Sequence, residues 1–262
     1  MKTAWIKIVL SAMMFCLGAS AHAGVVKVWG EELNFFSKST IDNFYNGLAG
    51  HSSSISNGPL DAVDLSGVNL LWVTQPADDY TNAELAAMQG FLAGGGRIAF
   101  MGEHGAFAPE QNLRINSALA ALGSSIFINN LILDSGFREA SVGNGQIVAN
   151  SLTAGVDNYQ YAAFAPLSVS GSAVALMYGQ EDYLGDSSVM MAYQNIGAGS
   201  IFMITDQNVW DNAPDWNFAF DNARLFENLL DAPTVDVPEP ASFALMGLGL
   251  AGMLAARRRR PV

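Results

Sequence analysis

The sequence predicts an α/β domain with a mostly parallel sheet and helices on both faces. Short apolar runs of strand length at 69–74 and 97–101 flank a segment of helical periodicity. Parallel strands need a long crossover connection, usually a helix, so this strand–helix–strand unit favours a parallel sheet. Similar runs recur along residues 24–232 and alternate with helical segments, a pattern typical of sheets covered by helices.

The helix of this unit has clear start and stop signals. Thr81 stands where an N-cap is expected, and Glu84 occupies the reciprocal position of a capping box. Three glycines at 94–96 end the helix, since glycine adopts left-handed backbone angles without strain.

The rest of the body follows the same scheme less clearly. Residues 134–166 are polar and contain glycines, so they predict loops with one short strand at 146–149. The other predicted strands lie at 25–29, 126–128, 173–178, 189–193 and 200–205, and the other predicted helices at 40–48, 113–122 and 221–230.

Composition excludes several classes of function. The net charge is −12, and the acidic excess lies in the body, because only Glu239 of the acidic residues falls outside 24–236. So acidic a body repels phosphate backbones, which excludes nucleic acid as a partner. The single cysteine, Cys16, precedes the body, which therefore has no disulfide, thiolate metal site or cysteine nucleophile.

The first 23 residues predict a signal peptide. Two lysines near the start precede an apolar run at 8–17. Ala21 and Ala23 form the small-x-small cleavage pattern, so signal peptidase is expected to leave Gly24 as the first mature residue.

The carboxyl-terminal segment predicts a membrane anchor beside a processing point. It opens with a proline-flanked glutamate, which stays extended because proline cannot continue a helix: Val237, Pro238, Glu239 and Pro240. Residues 241–256 are apolar and uncharged, close to the length of a transmembrane helix. Four arginines follow, which favour the cytoplasmic side and place the body outside: Arg257, Arg258, Arg259 and Arg260.

This order of motif, apolar segment and arginine cluster resembles the PEP-CTERM sorting signal. The resemblance implies cleavage by exosortase, a membrane protease of Gram-negative bacteria that often make exopolysaccharide and form biofilm. It implies a transient stay in the inner membrane, then the cell surface or the medium, with an exopolysaccharide matrix as a partner. The expected organisation is a signal peptide at 1–23, an α/β domain at 24–232, a linker at 233–236 and the sorting signal at 237–262.

The body resembles the class I glutamine-amidotransferase-like superfamily over residues 70–105, 151–156 and 200–208. That resemblance implies a flavodoxin-like fold. In the family, the strand matching 98–101 leads into a turn that carries the cysteine nucleophile. Here the turn at 102–105 holds Glu103 and His104 between glycines, so glutamine hydrolysis by the usual thiolate route is unavailable.

Glu103, His104 and Asp206 are the candidate catalytic residues. They follow predicted strands, and open α/β sheets place ligand sites beyond the carboxyl ends of their strands. A carboxylate beside an imidazole supports acid–base chemistry. The alternative is that these side chains only stabilise a turn.

Oxygen-rich side chains after the strand ending near residue 205 suggest calcium as a cofactor. The candidate ligands are Asp206, Asn208, Asp211 and Asp215. Their spacing does not match an EF-hand loop, and the alternative is an acidic loop followed by a helix capped at Asp221.

Three functions remain open from the sequence. The leading one is a non-catalytic, surface-sorted α/β domain that binds a ligand or associates with the extracellular matrix. The second is an extracytoplasmic hydrolase or amidase-like enzyme that uses Glu103 and His104. The third is a calcium-dependent adhesive module.

Overall fold

The computed structural model describes residues 24–30, 37–210 and 220–232, which contain a nine-stranded sheet and a separate two-stranded one. The strands are β1 (Val25–Trp29), β2 (Ser52–Ile55), β3 (Leu70–Val73), β4 (Arg97–Met101), β5 (Ile126–Ile128), β6 (Arg138–Ser141), β7 (Asn158–Tyr161), β8 (Leu167–Val169), β9 (Val174–Tyr183), β10 (Asp186–Ile196) and β11 (Gly199–Ile204).

The large sheet has the order β2-β1-β3-β4-β11-β10-β8-β5, with β9 also beside β10. The strands β2, β1, β3, β4 and β11 are parallel to one another. The strands β10, β8, β5 and β9 pair with their neighbours in antiparallel orientation. The mixed α/β class is therefore confirmed, with a parallel part and an antiparallel extension. The extension arises because two-residue turns at 184–185 and 197–198 join β9, β10 and β11, and such turns join only antiparallel strands.

Helices cover both faces of the parallel part. One face packs against α1 (Ser37–Gly47) and α4 (Asn222–Asp231), and the other against α2 (Asn82–Ala93) and α3 (Pro109–Ala121). Alternate residues of β3, β4 and β11 enter opposite clusters of the core, as the two-residue period of a strand requires.

Aromatic rings fill the face under α1 and α4. The Trp210 and Phe226 rings have centroids 4.1 Å apart, and Trp72 meets Trp210 edge-on at 5.5 Å. The Tyr45 hydroxyl donates to the Phe226 carbonyl oxygen at 2.9 Å, so this buried polar atom is satisfied within the cluster.

The predicted start and stop signals of helix α2 are confirmed. The Thr81 side chain accepts from the Glu84 backbone N–H at 3.2 Å, and the Glu84 carboxylate accepts from the Thr81 backbone N–H at 2.9 Å. Beyond the helix, Gly96 packs so closely on Phe91 that an added Cβ would lie 2.4 Å from the ring.

Three local predictions are wrong. Residues 146–149 form no strand and contribute only an isolated bridge from Ile147 to Met177, while β6 and β7 account for the nearby pairing. The polar strand β2 was missed. Asp221 occupies the N-cap position of α4, but its side chain makes no capping hydrogen bond, because its carboxylate accepts from the backbone N–H groups of Asp157 and Asn158 instead.

Within the described ranges, no helix is long and apolar enough to cross a membrane. The predicted leader at 1–23, the sorting motif at Val237–Pro240, the apolar run at 241–256 and the closing arginines all lie outside those ranges.

Candidate functional site

Polar side chains gather where three neighbouring parallel strands end. Gln75 follows β3, Glu103 and His104 follow β4, and Asp206 and Gln207 follow β11. Because β3, β4 and β11 are adjacent in the sheet, their carboxyl ends meet at one edge. The structure thus brings the three candidate catalytic residues together.

Glu103 is buried, with a relative exposure of 2%. One carboxylate oxygen accepts from the His104 backbone N–H at 2.7 Å, and the other from the Gln207 backbone N–H at 2.9 Å. The side chain therefore joins the end of β4 to the end of β11.

The turn that carries Glu103 is held by asparagines. The Glu103 backbone N–H donates to Asn112 Oδ1 at 3.1 Å, and Asn112 Nδ2 donates to Asn130 Oδ1 at 2.9 Å. Gly105 lies against the Asn130 backbone, where an added Cβ would come within 2.2 Å of the carbonyl carbon. The second glycine of the turn is therefore required by close approach of two backbone segments.

Asp206 is fully buried. Its Oδ2 accepts from the Ala162 backbone N–H at 2.7 Å, and its Oδ1 accepts from the Asn208 backbone N–H at 3.0 Å. This carboxylate thus ties the end of β11 to the chain that leaves β7.

We call Glu103 and Asp206 the acid pair. Burial raises the pKa of Asp206 to about 7, although its two backbone N–H donors lower it. Burial, and then the charge of Asp206, raise the pKa of Glu103 well above its usual range. The negative charge left when one carboxyl loses its proton opposes loss of the proton from the other, so the two titrate as a pair.

His104 lies at the border between the acid pair and solvent. Its Nε2 is 3.7 Å from a Glu103 carboxylate oxygen, and its ring meets Phe107 edge-on at a centroid distance of 6.1 Å. Burial lowers the pKa of His104, so its imidazole is neutral at pH 7. In the described part of the chain, Nδ1 has no hydrogen-bond partner.

The geometry gives the acid pair a structural role. All four carboxylate oxygens accept from backbone N–H groups, and both side chains are removed from solvent. A general acid or base must reach the proton that it transfers, and only His104 of the three candidates has an exposed side-chain surface.

Two of the four calcium candidates, Asp206 and Asn208, lie within the described residues. Asp206 directs its oxygens to backbone donors, and Asn208 follows it in the turn at Gln207–Trp210. Asp211 and Asp215 lie outside the described residues. Among the residues that are described, no group of three His, Cys, Asp or Glu side chains is placed to hold a metal ion.

A cavity of about 410 Å³ opens at the same edge, beyond the ends of β1, β2 and β3. We call it the Trp29–Tyr80 groove, after two rings whose centroids are 5.9 Å apart. Its lining comprises Trp29, Gly30, Lys38, Ser56, Asn57, Gly58, Pro59, Pro76, Ala77, Asp78, Asp79, Tyr80, Thr81 and Glu84.

Hydrogen bonds fix the walls of the groove. Trp29 Nε1 donates to the Gly58 carbonyl oxygen at 2.8 Å, and Lys38 Nζ donates to the Gly30 carbonyl oxygen at 2.8 Å. The Tyr80 hydroxyl is buried and has no partner in the described ranges. The groove thus combines two aromatic rings with a lining that is otherwise rich in polar and charged side chains.

Sequence reasoning missed the groove and the two glutamines of the edge. Gln75 Nε2 donates to Gln207 Oε1, and each glutamine lies in the segment just after a buried strand. The rule that selected Glu103, a polar residue at the carboxyl end of a strand, also selects these two. Trp29 and Tyr80 carried no comparable signal, since aromatic residues more often belong to the core.

Residues 236–260 match the family model of the PEP-CTERM protein-sorting motif. The chain carries a PEP-CTERM sorting signal. The match covers the proline-flanked glutamate, the apolar run and the arginines, so the expectation from the sequence is confirmed. Such a signal implies processing by exosortase, export, and a membrane-anchored intermediate. No curated protein matches the chain as a whole.

Solved structures show what fold the body has. It is similar to the mmIFT52 N-terminal domain at 18% identity and a TM-score of 0.60, with 82% of this chain and 99% of that one covered. A ThuA-like protein from Parabacteroides merdae matches at 11% identity and a TM-score of 0.55, covering 83% and 94%. A GMP synthase subunit from Thermoplasma acidophilum matches at 11% identity and a TM-score of 0.50, and the match covers 80% of this chain and 94% of that one. The body therefore has a glutamine-amidotransferase-like fold, and at these identities the likeness concerns fold alone.

Proposed function

We propose that this protein is an exosortase substrate that reaches the cell surface or the medium and there serves as a non-catalytic binding domain. The observation that carries the proposal is the sorting signal at 236–260. Its processing point follows the last described residue of the body by only a few residues, so cleavage would release the domain whole.

The acid pair favours binding over catalysis. In this fold the turn after β4 is where the amidotransferase resemblance expects a nucleophile, and here it holds Glu103. That carboxylate is buried and bonded to two backbone N–H groups. An enzyme that used Glu103 and His104 would first have to break these bonds, which hold two strand ends together.

The Trp29–Tyr80 groove is the binding site that the geometry supports. Its rings offer apolar contact, and the exposed Asp78 and the amide of Asn57 offer hydrogen bonds along its rim. The acidic body makes an uncharged or cationic polar ligand a better partner than an anionic one.

Sorting is tested in a bacterium that encodes exosortase. The wild-type chain is compared with a Pro238→Ala, Glu239→Ala double variant and with Pro233→Ala, which changes a proline just outside the matched residues. We expect wild type and Pro233→Ala to yield an extracellular product that lacks the apolar tail by intact mass. The double variant should stay full-length at the carboxyl end and fractionate with membranes. Processing of the double variant at the wild-type rate contradicts the proposal.

Binding is tested on the released domain. Neutral sugars, amino acids and polyamines are screened by NMR, and a ligand of the groove should shift the signals of Asn57, Asp78 and Tyr80. An Asn57→Ala, Asp78→Ala variant should bind that ligand at least about tenfold more weakly, the effect of 1.4 kcal/mol. Glu139→Ala, on exposed β6, is the matched control. Full affinity in the groove variant would assign the ligand to another surface.

A further inference from the structure

The predicted first residue of the mature chain is buried at a polar contact. The Gly24 backbone N–H donates to His51 Nδ1 at 3.0 Å. On the other side of the same ring, His51 Nε2 lies 3.8 Å from Asp231 Oδ1. A neutral imidazole that accepts at Nδ1 carries its proton at Nε2, so the ring points its N–H at the Asp231 carboxylate.

Little room is left beside this position. A Cβ added to Gly24 would lie 2.5 Å from Leu230 Cγ and within 2.7 Å of both its methyl carbons. Leu230 is on the last turn of α4, so the start of β1 lies directly against the end of that helix. A larger first residue would have to displace the Leu230 side chain.

We propose that Gly24 is the amino terminus of the mature protein and that its α-ammonium group is bound by His51 Nδ1, with the Asp231 carboxylate on the far side of the same ring as the nearby countercharge. The inference depends on leader removal at Ala23–Gly24 and is independent of what happens to the sorting tail. It assigns a binding site within the chain whose ligand is the cation that processing creates.

Hydrolysis supplies the group that the site receives. When the Ala23–Gly24 bond breaks, the hydroxyl of water joins the Ala23 carbonyl carbon and its proton joins the Gly24 nitrogen. That nitrogen takes a further proton from solvent at neutral pH and becomes an ammonium with three N–H donors. One donor keeps the bond to His51 Nδ1, and the new charge is attracted to Asp231.

The position of Asp231 strengthens the attraction. It is the last residue of α4, and the carboxyl end of a helix carries a partial negative charge that favours a nearby cation. Arg97 binds the same helix end, because its guanidinium donates to the carbonyl oxygens of Leu229 and Ala232. The amino terminus therefore completes a set of cations around the point where the body meets the linker.

The burial of Gly24 also orders the events of maturation. Signal peptidase must reach an extended chain at the Ala23–Gly24 bond, whereas the folded body encloses Gly24. Leader removal is therefore expected before β1 docks against α4.

The test uses the full chain, exported with its own leader from a Gram-negative host and purified in detergent. Intact mass and amino-terminal sequencing first locate the start. An amine-acylating reagent at pH 7 then measures the reactivity of the α-amine, with the lysine side chains as internal references. A second chain has Ala-Ser inserted after Ala23, which moves the new terminus away from His51.

We expect the wild-type chain to begin at Gly24 and its α-amine to react about tenfold more slowly than that of the inserted chain, as a shift of one pKa unit would produce. His51→Ala and Asp231→Asn should each recover most of the fast rate, while Asp61→Asn, an exposed carboxylate elsewhere, should not.

Two results overturn the proposal: a start at any other residue, or equal acylation rates for the wild-type and inserted chains. Circular dichroism of the same samples separates loss of the contact from loss of the fold. Should His51→Ala unfold, Asp231→Asn decides the matter, since it preserves the shape of the side chain and removes only the charge.

Discussion

The carboxyl edge of the sheet holds two polar regions of opposite character. The acid pair sits beyond β4 and β11, is closed to solvent, and has every carboxylate oxygen bound to a backbone N–H. The Trp29–Tyr80 groove sits beyond β1, β2 and β3 and encloses about 410 Å³. The first holds candidate catalytic carboxylates that solvent does not reach, and the second is an open cavity lined by aromatic and polar side chains.

The contrast teaches that position at this edge does not by itself make a polar residue functional. A carboxylate there can either meet a ligand or hold two strand ends together, and the same oxygens cannot serve both roles at full strength. Substitutions in the acid pair should therefore change stability, whereas substitutions of exposed side chains on the rim of the groove should leave it nearly unchanged.

The largest effect is expected for Glu103→Ala. It leaves the buried backbone N–H groups of His104 and Gln207 without their acceptor, at about 1–3 kcal/mol each, so unfolding free energy should fall by about 3 kcal/mol. Urea unfolding measures the loss. Glu139→Ala, an exposed carboxylate on β6, should stay within about 0.5 kcal/mol of wild type. Equal changes in unfolding free energy for the two substitutions would contradict a structural role for Glu103.

The acid pair should also make stability depend on pH. Burial raises the pKa of Asp206 to about 7, whereas an unfolded aspartate titrates near 3.9. Between about pH 4 and 7 the folded chain thus holds a proton that the unfolded chain lacks. Stability should fall as the pH rises through that window, by about 1 kcal/mol per pH unit.

Thermal unfolding at pH 5, 6 and 7 measures this slope. Asp206→Asn keeps one acceptor oxygen and cannot ionise, so its slope should be clearly shallower than that of wild type. Glu139→Gln controls for the general effect of removing one acidic residue from an acidic body. Parallel curves for wild type and Asp206→Asn would show that the acid pair does not hold the proton.

Removing one hydroxyl should have opposite effects in the groove and in the core. Tyr80→Phe deletes a buried hydroxyl without a partner among the described residues, so stability should rise by up to about 1 kcal/mol. Tyr45→Phe deletes a hydroxyl that donates to the Phe226 carbonyl oxygen, so stability should fall by about 1 kcal/mol. The pair is compared by urea unfolding, and a loss of stability in both would mean that the Tyr80 hydroxyl is bonded in solution.

The smallest effect is expected for Asp78→Ala on the rim of the groove. Asp78 is exposed, and surface substitutions away from special features change unfolding free energy by less than about 0.5 kcal/mol. A larger loss by the same measurement would mean that the rim supports the fold and that the two regions are less distinct than their geometry indicates.

Sequence reasoning succeeded where burial leaves a continuous apolar run. The strands Arg97–Met101 and Ile126–Ile128 were predicted at their observed bounds, and the capping box of α2 was found from Thr81 and Glu84. It failed at Ser52–Ile55, a polar edge strand that pairs, among the described strands, with β1 alone. Such a strand has no apolar signal, because a neighbour elsewhere in the chain supplies its hydrogen bonds.

The candidate site shows the same division. That Glu103, His104 and Asp206 follow strands could be predicted, and the structure places all three at one edge. That the carboxylates turn inward could not be predicted, because their donors come from Ala162 and Gln207, which are distant in sequence from the residues they bind. The groove was missed for the same reason, since its wall combines the end of β1 with the loops that follow β2 and β3.

The sequence by itself determined the sorting signal, the acidic body, the missing cysteine and the α/β class, because each of these is a property of composition or of short local patterns. Only the tertiary structure decided the antiparallel extension of the sheet, the closure of the acid pair and the opening of the groove. Those features depend on which distant segments of the chain lie side by side, and the closure depends also on which backbone N–H groups reach the buried carboxylates. A local sequence pattern does not record these pairings.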